Sequence, residues 1–382
     1  MQRYLKIPLL ILFIMSLNAC DSFGISNLPS PAPLAAFKPT VQVKPLWLIQ
    51  ADNGDGNQYL KFAIASDKQQ LFTAGYKGLV SAVDARNGHI IWQHNLEASL
   101  TGGPGVGNGV VVVGVANGDV VALNQHSGKF LWATNVGNQL LAPPVIANSI
   151  VLVKTLNDDV VALEANSGKK LWQFAGSAPN MILRLGSSPQ LIGNKAVIGF
   201  ASGKLIVFNL QKGNILWQQP VAIAQGATAI AQMIDIDANP VVQNNIVYVA
   251  TYQGNIAALR LSNGASIWRH KLSAYTGITV SNNNVFVTDA NSAIWAFFKS
   301  SGGVNWRQQK LLHRGITAPV LMGNYLVFAD AEGYLHWIAK NTGQLVARIR
   351  VSEHAILSTP VVNGDTVYAL TTDGKLAAYR VI

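Results

Sequence analysis

One stretch of the sequence decides the fold: Gly118-Asp119-Val120-Val121-Ala122-Leu123-Asn124-Gln125-His126-Ser127-Gly128-Lys129-Phe130-Leu131-Trp132. The run from Val120 to Leu123 predicts a β-strand, and Ser127-Gly128 predicts a hairpin turn whose glycine takes a positive φ. Phe130 to Trp132 then predicts the returning strand. The stretch therefore encodes two antiparallel strands, the second of which carries a tryptophan.

The same phrase returns along nearly the whole chain. Aligned on the first glycine, the alanine, the second glycine and the tryptophan, the copies are Gly78/Ala82/Gly88/Trp92, Gly118/Ala122/Gly128/Trp132, Asp158/Ala162/Gly168/Trp172, Gly203/Val207/Gly213/Trp217, Gly254/Ala258/Gly264/Trp268, Ala296/Gly302/Trp306 and the degenerate Gly333/Trp337/Gly343/Ala347. Neighbouring tryptophans from Trp92 to Trp172 lie about 40 residues apart, a period typical of propeller blades with four short strands.

The two ends of the chain each carry part of one further repeat. An eighth copy begins at Gly374 and stops before its tryptophan, whereas Val43-Lys44-Pro45-Leu46-Trp47 supplies a tryptophan before the first complete repeat. Pairing the first strand with the last would remove two open sheet edges. The sequence therefore predicts an all-β fold: an eight-bladed β-propeller of four-stranded antiparallel blades, closed by pairing of the N- and C-terminal strands.

The repeated tryptophans are interpreted as packing residues, each a large flat ring that covers a small residue of the neighbouring blade. The seventh repeat departs from the pattern, because Trp337 stands where other repeats have alanine and Ala347 stands where they have tryptophan. We interpret this as a compensating exchange of a large and a small residue across one blade interface. A partner contact is the alternative.

The N-terminus has the features of a secretion signal. A short basic segment with Arg3 and Lys6 precedes an apolar run that is too short to span a bilayer, and Leu17-Asn18-Ala19-Cys20 resembles the bacterial lipobox. We expect cleavage of residues 1–19 and lipidation of Cys20, the only cysteine of the chain. The alternative is an ordinary signal peptide followed by a fortuitous cysteine. Outer-membrane anchoring is expected, although Asp21 is a residue that retains lipoproteins in the inner membrane of enteric bacteria.

Two further segments follow the signal. Residues 20–42 contain the lipidated cysteine and a tether with four prolines, Pro29, Pro31, Pro33 and Pro39, which favour an extended chain. Residues 43–382 are expected to form the propeller as one domain.

Composition and motifs argue against catalysis and against nucleic-acid binding. The net charge of +10 is moderately basic and suits acidic partners, but no cluster of basic and aromatic residues typical of nucleic-acid binding is present. The seven histidines are scattered without metal-ligand spacing, and surface or turn positions are expected for them. No Ca²⁺ loop and no Gly-x-Ser-x-Gly motif occurs. We therefore expect no catalytic residues, no metal and no cofactor.

The repeat resembles the family named for pyrroloquinoline quinone, so a quinoprotein dehydrogenase is the enzymatic alternative. Such enzymes are much longer, and many place an adjacent cysteine pair beside the quinone. This chain has one cysteine and little sequence beyond the blades, which disfavours that alternative.

Two insertions depart from the repeat in the fourth and fifth blades. The first, residues 180–189, surrounds Arg184 with aliphatic side chains, and the second, residues 229–240, contains Asp235 and Asp237. Both occur at the same stage of the repeat, just before an inner strand. They are therefore expected on the same rim of the propeller, where function is usually found in such folds.

Together, the lipobox, the eight blades and these two loops resemble the BamB family, the lipoproteins of the β-barrel assembly machinery. The resemblance implies contact with the POTRA domains of BamA through Met181, Leu183 and Arg184 and through Asp235 and Asp237. The aspartates would bind basic groups of BamA, or one would brace Arg184.

The resemblance further implies a non-catalytic scaffold that faces the periplasm and assists folding and insertion of outer-membrane proteins. Nascent outer-membrane proteins are a further candidate partner, and the sequence leaves direct contact with them open. The phrases Leu311 to Arg314 and Glu332 to Ile338 are also similar to that family, and a structural role is expected for both. A periplasmic propeller that binds a small ligand or the cell wall is the alternative function.

Overall fold

Eight four-stranded antiparallel sheets form the fold in the computed structural model, which describes residues 29–382 except Tyr59, Lys61 and Lys68. The sheets are the blades of an eight-bladed β-propeller, so the predicted fold class is confirmed. Residues Pro31–Ile382 form one compact unit. The predicted signal peptide and Cys20 lie outside the described residues.

The strands follow the repeat in order. The N-terminal strand is β1 (Val43–Gln50). Blade 1 comprises β2 (Ala65–Ser66), β3 (Gln70–Ala74), β4 (Leu79–Asp84) and β5 (Ile90–Asn95). Blade 2 comprises β6 (Leu100–Gly107), β7 (Val110–Val115), β8 (Asp119–Asn124) and β9 (Phe130–Asn135). Blade 3 comprises β10 (Val145–Ala147), β11 (Ile150–Lys154), β12 (Val160–Glu164) and β13 (Lys170–Phe174). Blade 4 comprises β14 (Gln190–Ile192), β15 (Lys195–Gly199), β16 (Lys204–Asn209) and β17 (Ile215–Pro220).

The second half repeats this arrangement. Blade 5 comprises β18 (Val241–Gln243), β19 (Ile246–Ala250), β20 (Gly254–Arg260) and β21 (Ser266–Leu272). Blade 6 comprises β22 (Ile278–Val280), β23 (Asn284–Thr288), β24 (Ile294–Phe298) and β25 (Val304–Gln308). Blade 7 comprises β26 (Val320–Met322), β27 (Tyr325–Ala329), β28 (Tyr334–Ala339) and β29 (Leu345–Arg350). Blade 8 comprises β30 (Val361–Asn363), β31 (Thr366–Leu370), β32 (Lys375–Val381) and the N-terminal β1. One 3₁₀ turn, Ile230–Gln232, precedes blade 5.

Blade 8 closes the ring with strands from both ends of the chain. Strand β1 pairs antiparallel with β32, so that Val43 lies opposite Val381 and Gln50 opposite Lys375. This is the closure that the two incomplete terminal repeats predict. Both edges of β32 are therefore hydrogen-bonded, to β31 on one side and to β1 on the other.

Tryptophans of the outer strands lock each blade to the next. The Trp92 ring of blade 1 covers Gly128 in the last turn of blade 2, where an added Cβ would lie 2.5 Å from the ring and where φ is +67°. Only glycine combines this backbone conformation with so close an approach. The indole Nε1 of Trp92 also donates a hydrogen bond to the Gln125 carbonyl at 2.9 Å. The same donation joins five further tryptophans to the carbonyls of Ala165, Leu210, Leu261, Lys299 and Lys340.

Blade 7 lacks this tryptophan for a structural reason. Blade 8 takes its outer strand from the N-terminus, so it has no last hairpin turn for a tryptophan of β29 to cover. The N-terminal segment passes there instead, with the Thr40 and Val41 amides donating to the Val346 carbonyl. Trp337 lies directly opposite Ala347 on the adjacent strand and is fully buried. The predicted exchange is therefore wrong in its location, because it occurs between two strands of one blade.

The loops that join the outer strand of one blade to the inner strand of the next will be called crossover loops. Because the strands of each blade alternate in direction, all crossover loops share one face of the ring with the turns between second and third strands. This face will be called the crossover face. Both insertions, residues 180–189 and 229–240, are parts of crossover loops.

Candidate functional site

The candidate site consists of two neighbouring crossover loops. The Arg184 loop, residues 175–189, connects β13 to β14, and the Asp235 loop, residues 221–240, connects β17 to β18. The structure brings the two loops together on the crossover face of blades 4 and 5, and it places every residue of the predicted partner-binding set in one or the other.

Three side chains of the Asp235 loop hold the main chain of the Arg184 loop. Asp235 Oδ1 accepts a hydrogen bond from the Leu183 amide at 3.3 Å, and Asp237 Oδ1 accepts one from the Gly186 amide at 2.8 Å. Asn239 Oδ1 accepts a third from the Ser188 amide at 2.8 Å. These alternate residues of an extended segment face one side, whereas Ile236 and Ala238 between them are buried in the core.

The Asp235 loop is itself fixed to the blades beside it. The Asp235 carbonyl accepts a hydrogen bond from the Tyr252 amide at 2.9 Å, and the Ile236 amide donates to the Phe200 carbonyl at 3.2 Å. The Ile236 side chain packs so closely on Gly199 that a Cβ there would lie 2.2 Å away. The three acceptors therefore lie on a segment that is fixed to the blades, and their hydrogen bonds fix the Arg184 loop relative to that segment.

Arg184 lies at the exposed tip of the loop that these bonds position. Its backbone has φ of 55°, in the left-handed region, which costs about 1 kcal/mol for a residue other than glycine. Within residues 29–382 as described, no acceptor lies within hydrogen-bond distance of its guanidinium. Met181, on the same loop, exposes 44% of its surface. The loop thus presents a cation and an apolar side chain to solvent, and neither is used inside the propeller.

The carboxylates do not pair with the Arg184 guanidinium. Asp235 is only 2% exposed, so its position suits a contact within the protein. Burial, together with the charge of Asp237 and a smaller contribution from Asp158, raises the pKa of Asp235 to about 6, although the hydrogen bond from Leu183 opposes the shift. Asp235 Oδ2 is buried and accepts no hydrogen bond from the described residues. The site therefore contains a carboxyl group that is costly to ionise.

A small cavity of about 20 Å³ lies beneath the Arg184 loop, and its lining includes Arg184, Asp235 and Asp237. Its other charged residues, Lys154 and Asp158, form a buried ion pair at 3.3 Å. Asp158 also accepts a hydrogen bond from the Ala201 amide at 2.8 Å, and Lys154 donates one to the Gly199 carbonyl at 2.8 Å. These two charges are therefore satisfied by their surroundings and tie blade 3 to blade 4.

Asn239 is the residue of this site that the sequence analysis did not single out. Its side chain performs the same task as those of Asp235 and Asp237, two residues further along the same extended segment. The alternation in Asp-x-Asp-x-Asn could have indicated that Asn239 faces the same side of the extended segment as the two aspartates. The uncharged asparagine gave no electrostatic reason to include it.

A second polar cluster on the crossover face joins the two phrases Leu311 to Arg314 and Glu332 to Ile338, for which the sequence predicts a structural role. Arg314 is buried and binds Asp330 at 2.8 Å and Glu332 at 2.6 Å. His336 Nε2 lies 2.9 Å from the same Asp330 carboxylate. Burial opposes ionisation of Asp330, but hydrogen bonds from His336 and Arg314 hold its pKa below its usual range. The expectation of a surface or turn position is wrong for His336, which is fully buried in blade 7.

The Arg314 cluster fastens the N-terminal segment to the propeller. Arg314 Nη1 donates to the Ala32 carbonyl at 3.1 Å, and the Ala32 amide donates to the Leu312 carbonyl at 2.9 Å. Arg348 donates to the Ala35 carbonyl at 3.3 Å and lies 5.3 Å from the centre of the Phe37 ring. Residues 32–40 thus run along the outer strand of blade 7, starting at the crossover face.

The mouth of the central channel opens on the same face. A cavity of about 240 Å³ is lined there by residues from the crossover loops, among them Ser188, Asp237, Asn239, Tyr275 and Thr317. No group of three or more histidine, cysteine, aspartate or glutamate side chains within the described part of the chain is arranged to hold a metal ion. In the same residues, no helix has the length and apolar character that crossing a membrane requires.

Comparison with known proteins places the chain among outer-membrane assembly factors. The family model described as "Outer membrane protein assembly factor BamB" matches residues 76–308 and 302–381. A protein of that name from Legionella pneumophila (strain Paris) is 40% identical over 379 residues, which cover 97% of this chain and 98% of the relative. Another from Pseudomonas aeruginosa is 38% identical over 372 residues, with 97% and 98% covered.

A solved structure agrees with these relatives. The crystal structure of BamB from Moraxella catarrhalis superposes with a TM-score of 0.81 at 28% sequence identity, covering 89% of this chain and all of that one.

Proposed function

The chain belongs to the family of BamB outer membrane protein assembly factors, and we propose that it is a non-catalytic scaffold subunit of the β-barrel assembly machinery. In this proposal the Arg184 loop binds the POTRA domains of BamA and thereby assists insertion of outer-membrane proteins. The protein is anchored by lipid at Cys20 and faces the periplasm from the outer membrane. Contact with nascent outer-membrane proteins would follow from its place in the complex.

One observation carries the proposal: an arginine held in a left-handed backbone conformation at an exposed loop tip, with no acceptor for its guanidinium among the described residues. An arginine can bind a carboxylate through two parallel hydrogen bonds, and such residues are frequent energetic centres of interfaces. Met181 and the half-buried Leu183 would exclude water around that contact. The strained conformation is retained although the loop gains no internal ion pair from it.

We assign Asp235 and Asp237 a positioning role in this interface. Their Oδ1 atoms bind the main chain of the Arg184 loop, and Asp235 is too deeply buried to reach a partner without rearrangement. Loss of either carboxylate would therefore weaken binding by releasing the loop. Of the two possibilities that the sequence left open, direct contact with basic groups of BamA and bracing of Arg184, these bonds favour bracing, which acts through the loop main chain.

Charge reversal of Arg184 tests the proposal. We expect Arg184→Glu to weaken binding to the purified POTRA domains of BamA by about 30-fold or more, because interface centres contribute about 2 kcal/mol or more. Surface plasmon resonance would measure the affinity, and circular dichroism should show an unchanged β-rich spectrum. Arg260→Glu is the matched control, since Arg260 is also exposed but ends β20 on the opposite face.

Two outcomes would reject this interface. One is unaltered POTRA affinity in the Arg184→Glu protein, and the other is an equal loss of affinity in the Arg260→Glu protein, which would indicate a general effect of charge.

The channel cavity of about 240 Å³ favours a second candidate function, binding of a small ligand. Saturable heat of binding for a cell-wall sugar in isothermal titration calorimetry, together with no POTRA affinity, would support that function instead.

A further inference from the structure

The first part of the Asp235 loop is an exposed segment without any charged residue. This segment, residues 221–233, has the sequence Val-Ala-Ile-Ala-Gln-Gly-Ala-Thr-Ala-Ile-Ala-Gln-Met. Its residues 223–230 are all exposed, and Ile223 and Ile230 expose 76% and 64% of their surface. Exposed loops are normally rich in charged and polar side chains, and clustered apolar exposure marks interaction surfaces. It will be called the uncharged segment.

The uncharged segment forms one wall of a groove. The groove has a volume of about 400 Å³, and its opposite wall consists of the outer strands of blade 5. Asn255 of β20 and Arg269 and Lys271 of β21 line that wall, facing Ile223 and Ala231 of the segment. No acidic residue lines the groove within the described part of the chain. One wall is therefore apolar and the other is positively charged.

Hydrogen bonds fix the shape of this groove. Gln253 Nε2 donates to the Ile230 carbonyl at 3.0 Å, which joins the segment to the turn before β20. Within the segment, the Ala231 amide donates to Thr228 Oγ1 at 3.1 Å. Arg269 Nη2 donates to the Pro220 carbonyl at 3.1 Å, which holds the guanidinium at the base of the segment. The groove is thus formed before any partner arrives, which lowers the entropic cost of binding.

Lys271 supplies the groove with a positive charge that is available to a partner. Its side chain is exposed, and its ammonium has no hydrogen-bond or ion-pair partner among residues 29–382 as described. A carboxylate that entered the groove would meet Lys271 and Arg269 while its neighbouring apolar side chains covered Ile223. A flat lipid surface cannot follow such a concave shape, whereas an extended polypeptide can.

We propose that this groove binds an acidic, leucine-bearing segment of a protein partner, as a contact separate from the Arg184 site. The charges of Arg269 and Lys271 on one wall select carboxylates, and Ile223 on the other wall selects apolar side chains. The groove shares the Asp235 loop with the candidate site, but its lining contains none of the five residues predicted to bind BamA.

A synthetic peptide can test the groove directly. The probe is a fluorescein-labelled peptide of about twelve residues built from the repeat Glu-Leu-Ser-Glu, and its affinity for the full mature chain is measured by fluorescence anisotropy. We expect saturable binding that weakens about tenfold or more in Lys271→Glu and in Ile223→Ser. Binding should also weaken as salt rises from about 0.05 M to about 0.5 M, because exposed ion pairs are screened.

Matched controls separate this surface from general charge effects. Lys212→Glu changes an exposed lysine in the last turn of blade 4 on the opposite face, and Arg184→Glu changes the proposed POTRA site; both should bind the peptide like the parent. A peptide with glutamine in place of glutamate should bind about tenfold more weakly, and so should one with serine in place of leucine.

The groove proposal is overturned if Lys271→Glu and the parent bind the peptide equally, or if the glutamine peptide binds as well as the acidic one. It is also overturned if the peptide does not bind while vesicles of phosphatidylcholine and phosphatidylglycerol do, in a manner lost in Lys271→Glu. That last result would assign the surface to a membrane.

Discussion

Replacing Asp235 by asparagine should stabilise the protein at neutral pH and leave it unchanged in acid. Burial and the charge of Asp237 raise the pKa of this carboxyl group from 3.8 to about 6 in the folded protein. A group whose pKa is raised on folding favours the folded state while it is protonated. Its contribution is fully present below pH 3.8 and is lost as the pH rises through about 6.

The size of the effect follows from the shift in pKa. One pKa unit corresponds to about 1.4 kcal/mol, so ionised Asp235 lowers the free energy of unfolding by about 3 kcal/mol at pH 7. The substitution Asp235→Asn removes the charge and keeps the side-chain oxygen that accepts the hydrogen bond from the Leu183 amide. We expect a gain of up to about 3 kcal/mol at pH 7 and almost no gain below about pH 3.

Urea unfolding of the parent and of Asp235→Asn at a series of pH values measures this difference. With an m-value of about 3 kcal/mol per molar urea, the midpoint at pH 7 should move by about 1 M. Burial also raises the pKa of Asp52 to about 6, but Asp52 is present in both proteins and its contribution cancels. Parallel stability curves between pH 4 and about pH 7 would refute the reasoning, since they would mean that Asp235 does not titrate differently in the folded state.

Two further outcomes are expected. In the same urea assay, Trp92→Phe should lower the free energy of unfolding by about 1–2 kcal/mol more than Trp47→Phe does. The Trp92 indole donates to the Gln125 carbonyl, whereas the Trp47 Nε1 has no acceptor among the described residues. Equal losses of stability would contradict this. Cys20→Ser should abolish incorporation of radiolabelled palmitate and release the protein from the membrane fraction, with Ser22→Ala as the control; retained label would exclude lipidation at this cysteine.

The missing indole bond at Trp47 has a visible cause. In blades 1 to 6 the tryptophan donates to a carbonyl in the turn region of the following blade. For Trp47 the equivalent carbonyl would belong to Ala85. The Tyr368 hydroxyl occupies that carbonyl, donating to it at 3.0 Å. The blade that joins the two chain ends is therefore fastened to blade 1 by a tyrosine from β31.

The sequence predicts the propeller well because almost every repeat contains the residues that pack it against its neighbours. A tryptophan needs a glycine on the next blade, as Trp92 needs Gly128, and both are visible in the alignment. The closure was predictable because Trp47 was left without a repeat of its own. Blade 7 was harder, since the exchange of Trp337 and Ala347 depends on the path of the N-terminal segment.

That path is invisible in the sequence for a physical reason. Residues 31–42 contain prolines and small residues without apolar periodicity, so their pattern predicts only an extended chain. They bind largely through main-chain groups, such as the Ala32 carbonyl that accepts from Arg314. Main-chain contacts leave no mark on residue type. The buried position of His336 was not predicted for a different reason: its side-chain partner Asp330 lies in a turn outside the strand that carries His336.

The location of the candidate site could be predicted from the sequence, but the hydrogen bonds within it could not. Insertions at equivalent positions of blades 4 and 5 must meet on the crossover face, and Arg184 and Asp235 do so. The sequence could not show that the carboxylates bind amide groups, because every residue other than proline carries one. Asn239 accepts a hydrogen bond from the Arg184 loop in the same way as Asp237. It was missed because its side chain carries no charge.

Two buried carboxyl groups on the crossover face differ in what surrounds them, and the difference bears on function. Asp330 is held ionised by Arg314 and His336, so that cluster fastens the N-terminal segment firmly. Asp235 has one buried oxygen without a donor among the described residues and a raised pKa. An asparagine could accept the same bond from Leu183 at lower cost, so packing alone does not account for the acid at this position. The carboxylate that Arg184 binds would come from the partner, so binding should raise the pKa of Asp235 further and keep its carboxyl group protonated.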